Sequence, residues 1–169
     1  MKIVKLVVQI LSVISVASFA GAMLMLDTSL VAFWKQVSPD EFLDWFSAYS
    51  SGISRTTGIF VKLSMLLPLI SLLVNMLNRQ AMIYWSLSYI CILAIMVITA
   101  TFFVDANESF VSKTIELGKV PETITTWGRL HAIRTTLAFV SAFLASVGLY
   151  KYVSSIQETS LIDKLRQAN

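Results

Sequence analysis

A tryptophan, a histidine and an arginine are spaced along one apolar segment so that they can share one face of a helix. Trp127, His131 and Arg134 occupy positions i, i+4 and i+7, and residues three or four apart are neighbours on a helix surface. Such side chains could bind a polar group or take part in proton transfer. The spacing predicts that all three line one polar pocket.

Arg134 is expected about one turn deeper in the membrane than His131, where a charge that faces lipid is costly. We therefore expect it to face the protein interior and to pair with an acid or with backbone carbonyls. Asp27 and Asp105 are the nearest acids by expected depth. The pocket would be roofed by the two long loops and closed by Asp27. Its lining would consist of Asn107, Trp127, His131 and Arg134.

Each of these residues also has a purely structural interpretation. Arg134 could form an ion pair that only ties helices together, and His131 could be a solvated residue at the membrane surface. Trp34 and Trp127 could be interfacial anchors, as tryptophan often is in membrane proteins. Asn107 could cap a short helix. The residues alone leave these alternatives open.

Several kinds of chemistry have no support in the sequence. The chain has one histidine and one cysteine, Cys91, which is too few soft ligands for a typical zinc site. It has no glycine-rich phosphate loop and no Gly-x-Ser-x-Gly motif. No run of lysine or arginine indicates nucleic-acid binding. We expect no metal and no bound cofactor.

The composition indicates the elements that must position the pocket. Hydrophobic residues make up 56% of the 169 residues and charged residues only 14%, far below the share of about 25% in soluble domains. Four apolar stretches each reach the ~20 residues that a helix needs to cross a bilayer. The expected fold is an all-α, integral membrane four-helix bundle in residues 1–153, followed by a polar C-terminal tail in 154–169. The helices are expected at about 3–33, 58–77, 82–104 and 130–153.

The two long loops are each expected to contain a short interfacial helix. In the first loop, Ser38-Pro39-Asp40-Glu41 is typical of a helix start, with serine as the N-cap and proline in the first turn. In the third loop, Ser109–Leu117 is expected to be helical and to end at Gly118. Arg79 lies in a short polar turn that makes the second and third helices a hairpin. The half of the bundle that holds the two chain termini, which we call the terminal half, has few charged groups. This argues against a continuous polar path across the membrane.

Four spans place both termini on the same side of the membrane. Lys2 and Lys5 lie at the start of the first helix, and positive charge there favours a cytoplasmic position. The first helix is expected to remain as an uncleaved anchor in a bacterial inner membrane. Membrane lipids are the expected partners, with a lipophilic small molecule as a further possibility, and the oligomeric state is left open.

Four features make the chain similar to the anthrone-oxygenase-like family of small four-helix membrane proteins. Two of them are Asn107 after the third helix and the segment from Trp127 to Thr135. The third is Gly21-Ala22-Met23-Leu24 together with Val31-Ala32-Phe33-Trp34. The fourth is Ser38-Pro39-Asp40-Glu41-Phe42 together with Trp45-Phe46. The likeness covers about residues 10–150. The segment from Trp127 to Thr135 is the most specific of these features.

The resemblance implies an activity: fungal members add oxygen to anthrones without metal or flavin. By that analogy, His131 would be the general base, Arg134 and Asn107 would stabilise an oxyanion, and Trp127 would stack on the substrate ring, with Asp27 also contacting the substrate. The expected function is cofactor-independent oxygenation of a lipophilic aromatic compound. The alternative is a non-catalytic membrane protein that binds a lipid, a quinone or a protein partner.

Overall fold

The computed structural model describes the backbone of residues 2–168, and the side chains of residues 3–158 and 164–167. That part of the chain is helical almost throughout and contains no strand. Its helical elements, in chain order, are α1 (Lys2–Met25), a π-helical segment (Leu26–Val31), α2 (Ala32–Trp34), α3 (Pro39–Val74), α4 (Arg79–Ile98), a second π-helical segment (Thr99–Phe103), α5 (Val104–Val111), a 3₁₀ turn (Leu117–Lys119) and α6 (Val120–Ala168).

These elements form four helices that are long and apolar enough to cross a bilayer. We refer to them as spans 1 to 4: Ile3–Trp34, Pro39–Val74, Arg79–Val111 and Leu117–Glu158. A backbone in lipid must satisfy its own hydrogen bonds, which a helix does within one segment. The predicted all-α membrane bundle of four helices is confirmed.

Span 2 is longer than the sequence indicated, because the expected interfacial helix and membrane helix are one continuous element, α3. Its start is a capping box: Glu41 N–H donates to Ser38 Oγ, and Ser38 N–H donates to the Glu41 carboxylate at 3.1 Å. Pro39 follows the cap, where its missing N–H costs nothing. No break separates the two expected helices, and Gly52 and Gly58 are both helical.

The short helix of the third loop also differs from the expectation. It is α5, which forms the last part of span 3 and ends at Val111 rather than at Gly118. Lys113 has a positive φ of 54°, the left-handed conformation that commonly ends a helix. Thr114 N–H then donates to Ser109 O at 3.1 Å, which closes the turn. Sequence reasoning missed this end because a lysine there took the place usually held by glycine.

Uncharged polar side chains tie the spans together in the terminal half of the bundle. Ser12 Oγ and Ser71 Oγ lie 2.7 Å apart, and Trp85 Nε1 donates to Gln9 Oε1 at 3.0 Å. A third buried contact joins Ser88 to the Ser141 backbone and hydroxyl on span 4. Small polar residues of this kind allow close helix approach and hydrogen bonding in lipid. This half is therefore poor in charge but not purely apolar.

Candidate functional site

The centre of the site is a hydrogen-bonded pair formed by His131 and Arg134 on span 4. Arg134 Nη2 lies 2.7 Å from His131 Nδ1, and Arg134 Nη1 donates to Thr99 Oγ1 at 3.1 Å. The other ring nitrogen, His131 Nε2, lies 2.9 Å from the Met23 carbonyl. The pair thus connects span 4 to spans 1 and 3.

These contacts fix the protonation of the histidine ring. A guanidinium has donors only, so His131 Nδ1 must accept a hydrogen bond from Arg134. The ring proton is therefore on Nε2, which donates to the Met23 carbonyl. His131 is neutral here, and both of its nitrogens are in use.

Aromatic rings enclose the pair on two sides. Trp127 stacks on His131 with ring centroids 4.7 Å apart and an interplanar angle of 19°. The Arg134 guanidinium carbon lies 3.3 Å from the centroid of the Phe103 ring. This stacking supplies a cation–π interaction, which gains strength in a desolvated place. It explains how the charge is accommodated without an acid.

Both π-helical segments of the described chain lie beside this pair. The first, Leu26–Val31, begins shortly after Met23, whose carbonyl accepts from His131. The second, Thr99–Phe103, supplies both the hydroxyl that Arg134 donates to and the ring beneath it. Such insertions within α-helices frequently occur at functional sites. They re-aim the side chains of spans 1 and 3 at this depth.

A cavity of about 350 Å³ lies next to Arg134, within the size range of small-molecule pockets. All four spans contribute to it. Residues from spans 1 and 4 that line it are buried, whereas the exposed lining side chains belong to spans 2 and 3: Ser54, Lys62 and Val104. The cavity therefore opens sideways, between spans 2 and 3.

The predicted site residues fall into three groups. Trp127, Arg134 and Asn107 line the cavity together. His131 is fully buried behind them and is not a lining residue, so the expectation that it faces the pocket is not met. Asp27 lies in the first π-helical segment, is partly buried and does not line the cavity.

The expected ion pair of Arg134 is not formed. Among the described residues the ion pairs are Lys113–Asp44 and Lys119–Glu116, both at the surface. Asp105 is exposed. A hydroxyl, an imidazole nitrogen and an aromatic face take the place of the carboxylate around Arg134, so the guanidinium keeps its net charge.

Three residues that line the cavity have hydrogen-bond donors without a partner. Arg134 Nε and Trp34 Nε1 are buried and have no acceptor within the described part of the chain. Asn107 Oδ1 accepts from Trp127 Nε1 at 2.9 Å, and the Asn107 amide N–H groups have no acceptor among the described atoms. Unpaired buried donors are costly unless something else satisfies them. The cavity is therefore suited to a ligand that offers acceptors.

Sequence reasoning missed several residues of this site. Trp34, interpreted as a possible interfacial anchor, is only 3% exposed and lines the cavity. Thr99 and Phe103, which hold Arg134, were not identified because nothing in the sequence marks a π-helical insertion. Lining residues of span 2, such as Ser50 and Thr57, recur at seven-residue spacing, a signal that a search for a polar stripe on that helix could have found.

The family model for anthrone oxygenases matches residues 45–144 of the chain. The chain belongs to the anthrone oxygenase family. The match covers span 2 from Trp45 onward, all of span 3 and the first part of span 4, and so includes Asn107, Trp127, His131 and Arg134. The predicted family resemblance is confirmed, although its N-terminal features, such as Gly21-Ala22-Met23-Leu24, lie outside the matched residues. No curated protein and no solved structure shows a significant match.

Within this member of the anthrone oxygenase family, the described residues include no group of three or more histidine, cysteine, aspartate or glutamate side chains that could hold a metal ion. The groups that converge on the cavity are instead a guanidinium, an amide and indole rings. They are suited to binding an oxygen acceptor beside a flat aromatic surface.

Proposed function

We propose that this protein oxidises a lipophilic aromatic compound of the anthrone type with O₂ in the membrane-embedded cavity. The observation that carries the proposal is the position of Arg134. Arg134 lines the cavity, has no carboxylate partner among the described residues, and has a buried Nε–H without an acceptor. An anionic oxygen on a ligand would satisfy both the charge and the free donor.

The substrate oxygen would lie near Arg134, with the Asn107 amide as a second donor. The fused rings would lie against the aromatic surface that includes Trp34 and Trp127. Donors placed where charge develops stabilise the anion more strongly in a water-poor site than in water. Arg134 and Asn107 would thereby favour loss of a proton from the carbon that is to be oxidised.

The reaction balances with O₂ as the only oxidant. The substrate CH₂ group loses a proton to give a carbanion delocalised onto the oxygen, and the carbanion adds O₂ to form a peroxide. The peroxide takes up the proton and then loses water, which leaves a carbonyl. One oxygen atom of O₂ remains in the product and the other leaves in the water.

The expected role of His131 as the base needs one rearrangement. His131 Nδ1 is occupied by Arg134 in this structure, so it can accept a proton only if Arg134 turns toward the substrate oxygen. We propose that binding of the anion causes this exchange. His131→Gln could keep a hydrogen bond to Arg134 but could not act as a base, so it should lower kcat more than it raises KM.

A non-catalytic binding function is the second candidate. It is favoured by one observation: neither nitrogen of His131 is free to accept a proton in the observed arrangement. In that case the same cavity would hold a lipid or quinone whose oxygens accept from Arg134, and no turnover would occur.

The test uses the full chain in lipid nanodiscs with a hydroxylated anthrone under ¹⁸O₂. The expected result is a quinone product that carries one ¹⁸O atom, formed faster than by autoxidation in empty nanodiscs. Arg134→Met should reduce the rate to that background, whereas Arg129→Met, at an exposed position of the same helix, should not. Asn107→Ala is a second variant for the case in which Arg134→Met folds poorly. Normal activity in both site variants would refute the proposal. Binding without product above background would favour the second candidate.

We further propose a bacterial inner-membrane location with both termini in the cytoplasm, so that the cavity lies toward the periplasmic side. Residues 1–153 would form the membrane unit and 154–169 a tail. The positive charge of Lys5 at the start of span 1 supports this orientation. A reporter enzyme that works only in the cytoplasm should be active when it is fused to the C-terminus. An inactive fusion that is expressed at a normal level would show that the orientation is the opposite one.

A further inference from the structure

The cavity is elongated along the bundle axis. On span 2, which is α-helical throughout, its lining extends from Phe46 to Lys62, a rise of about 24 Å at 1.5 Å per residue. A fused three-ring aromatic molecule is much shorter than that. The shape therefore leaves room below the ring-binding end for a further part of the ligand.

The two ends of the cavity differ in chemistry. The upper end, toward the long loops, holds the free donors of Trp34, Asn107 and Arg134. Apart from the exposed Lys62 at the opening, the lower end is lined by apolar side chains, including Phe19, Val61, Ile95 and Met96. An acceptor-bearing head fits the upper end and an alkyl or isoprenoid chain fits the lower end.

The opening of the cavity faces the bilayer rather than water. Its exposed lining residue Lys62 lies on span 2, about 18 Å above Val74 along the helix axis at 1.5 Å per residue. Since the hydrocarbon core is about 30 Å thick, this part of the opening lies at the depth of lipid tails. A lysine there can extend its ammonium group toward the headgroups.

We propose that the ligand is a phenol or quinone that carries a long apolar chain, and that it enters from the membrane between spans 2 and 3 with its chain toward the bilayer centre. The proposal rests on the proposed function in taking this cavity as the ligand site. It adds the class of ligand and its route of entry. Compact anthrones would then be partial ligands that fill only the upper end.

Gly58 provides a way to block the lower part of the cavity without disturbing the helix. It lines the cavity, and a Cβ at this position would meet no atom within 4 Å. Gly52, on the same helix, likewise has open space where a Cβ would lie, but it does not line the cavity. Gly58→Leu and Gly52→Leu each replace a glycine within a helix, so both should favour helix formation equally.

The experiment uses two photoreactive probes, each a phenol with a long alkyl chain, which carry a diazirine either at the chain end or beside the ring. The protein is reconstituted in nanodiscs, irradiated, and mapped by peptide mass spectrometry. The chain-end probe should label residues near Val61 and Ile95, and the ring probe should label residues near Asn107 and Trp127. Gly58→Leu should reduce chain-end labelling about tenfold, the change that 1.4 kcal/mol produces, and Gly52→Leu should not.

Labelling of the outer surface alone, or equal chain-end labelling in the Gly58→Leu and Gly52→Leu variants, would overturn the proposal. Labelling needs no O₂ and no turnover, so its outcome is independent of the oxygenation test. Labelling in the predicted pattern without any oxygenation would support the ligand class and refute only the catalytic function. Oxygenation of a compact anthrone together with surface labelling alone would support the catalytic function and refute the ligand class.

Discussion

Replacing Thr99 with valine should destabilise the bundle, because it removes the only hydroxyl that accepts a hydrogen bond from Arg134 among the described residues. Thr99 Oγ1 accepts from Arg134 Nη1 at 3.1 Å and donates to the Ile95 carbonyl at 2.7 Å. Valine has nearly the same shape, so packing changes little. What changes is that the buried guanidinium loses one of its two acceptors.

Thr101→Val is the matched control. Thr101 lies in the same π-helical segment and donates to the Val97 carbonyl at 3.0 Å, but it is exposed and does not contact Arg134. The difference between the two variants therefore isolates the bond to the guanidinium. Hydrogen bonds to charged groups contribute about 1.5–3 kcal/mol in soluble proteins, while bonds between membrane helices average about 0.6 and reach about 1.7 kcal/mol. We expect Thr99→Val to lower the free energy of unfolding by about 1–2 kcal/mol relative to Thr101→Val.

The measurement is reversible unfolding in mixed detergent micelles with increasing dodecyl sulfate, followed by tryptophan fluorescence. The midpoint and slope give the free energy of unfolding for each variant. Equal stability of Thr99→Val and Thr101→Val would show that the Arg134–Thr99 bond contributes nothing. The account of how the bundle holds an unpaired guanidinium would then be wrong.

Three further predictions concern packing, polar contacts and surface charge, each measured in the same unfolding assay. Gly148→Ala should be about 1–3 kcal/mol less stable than Gly52→Ala, because its Cβ would lie 3.0 Å from Trp85 Nε1, whereas no atom lies within 4 Å at Gly52; equal stability would mean that Trp85 moves freely. Ser12→Ala should lower the free energy of unfolding by about 0.6 kcal/mol, and by up to about 1.7 kcal/mol, because the contact with Ser71 is lost. The exposed control Ser18→Ala should have no effect. An equally large loss of stability in Ser18→Ala would contradict the prediction. Asp44→Asn breaks the exposed ion pair with Lys113, so it should lower the free energy of unfolding by no more than about 1 kcal/mol. This loss should disappear in high salt. A larger loss that does not depend on salt would show that the pair is more important than its exposure indicates.

The sequence was sufficient to predict the membrane bundle, and three of the residues it singled out, Asn107, Trp127 and Arg134, line one cavity. Long apolar stretches can only cross lipid as helices, and helical spacing put Trp127, His131 and Arg134 on one face. That reasoning fixes the direction in which a side chain leaves its own helix. It does not fix which neighbour the side chain meets.

The partners of Arg134 show why the rest was not predictable. A carboxylate was expected because acids lie at a similar expected depth, yet Thr99, His131 and the Phe103 ring hold the guanidinium. The π-helical segments turn spans 1 and 3 at this level, and no composition signal marks them. Asp27 was expected to close the pocket for the same reason, but it does not line the cavity.

The substitution Arg134→Met decides whether the arginine is present for function or for stability. Thr99→Val leaves a buried charge with an unsatisfied donor, which is costly, whereas Arg134→Met removes the charge and leaves only one neutral acceptor, His131 Nδ1, without its donor. Replacement of buried charged groups by apolar residues of similar size is often neutral or stabilising. We therefore expect Arg134→Met to unfold at the same or a higher dodecyl sulfate concentration than the wild type, and to lose binding of phenolic probes in nanodiscs.

Binding and stability should thus change in opposite directions, or binding alone should change, as is common where a site is kept at the expense of stability. The exposed control Arg129→Met should alter neither property. If Arg134→Met instead lowers stability by several kcal/mol while probe binding persists, the arginine is a structural tie between spans 1, 3 and 4. The free Nε–H of Arg134 would then have no functional meaning, and the proposed ligand site would lose the group on which it depends.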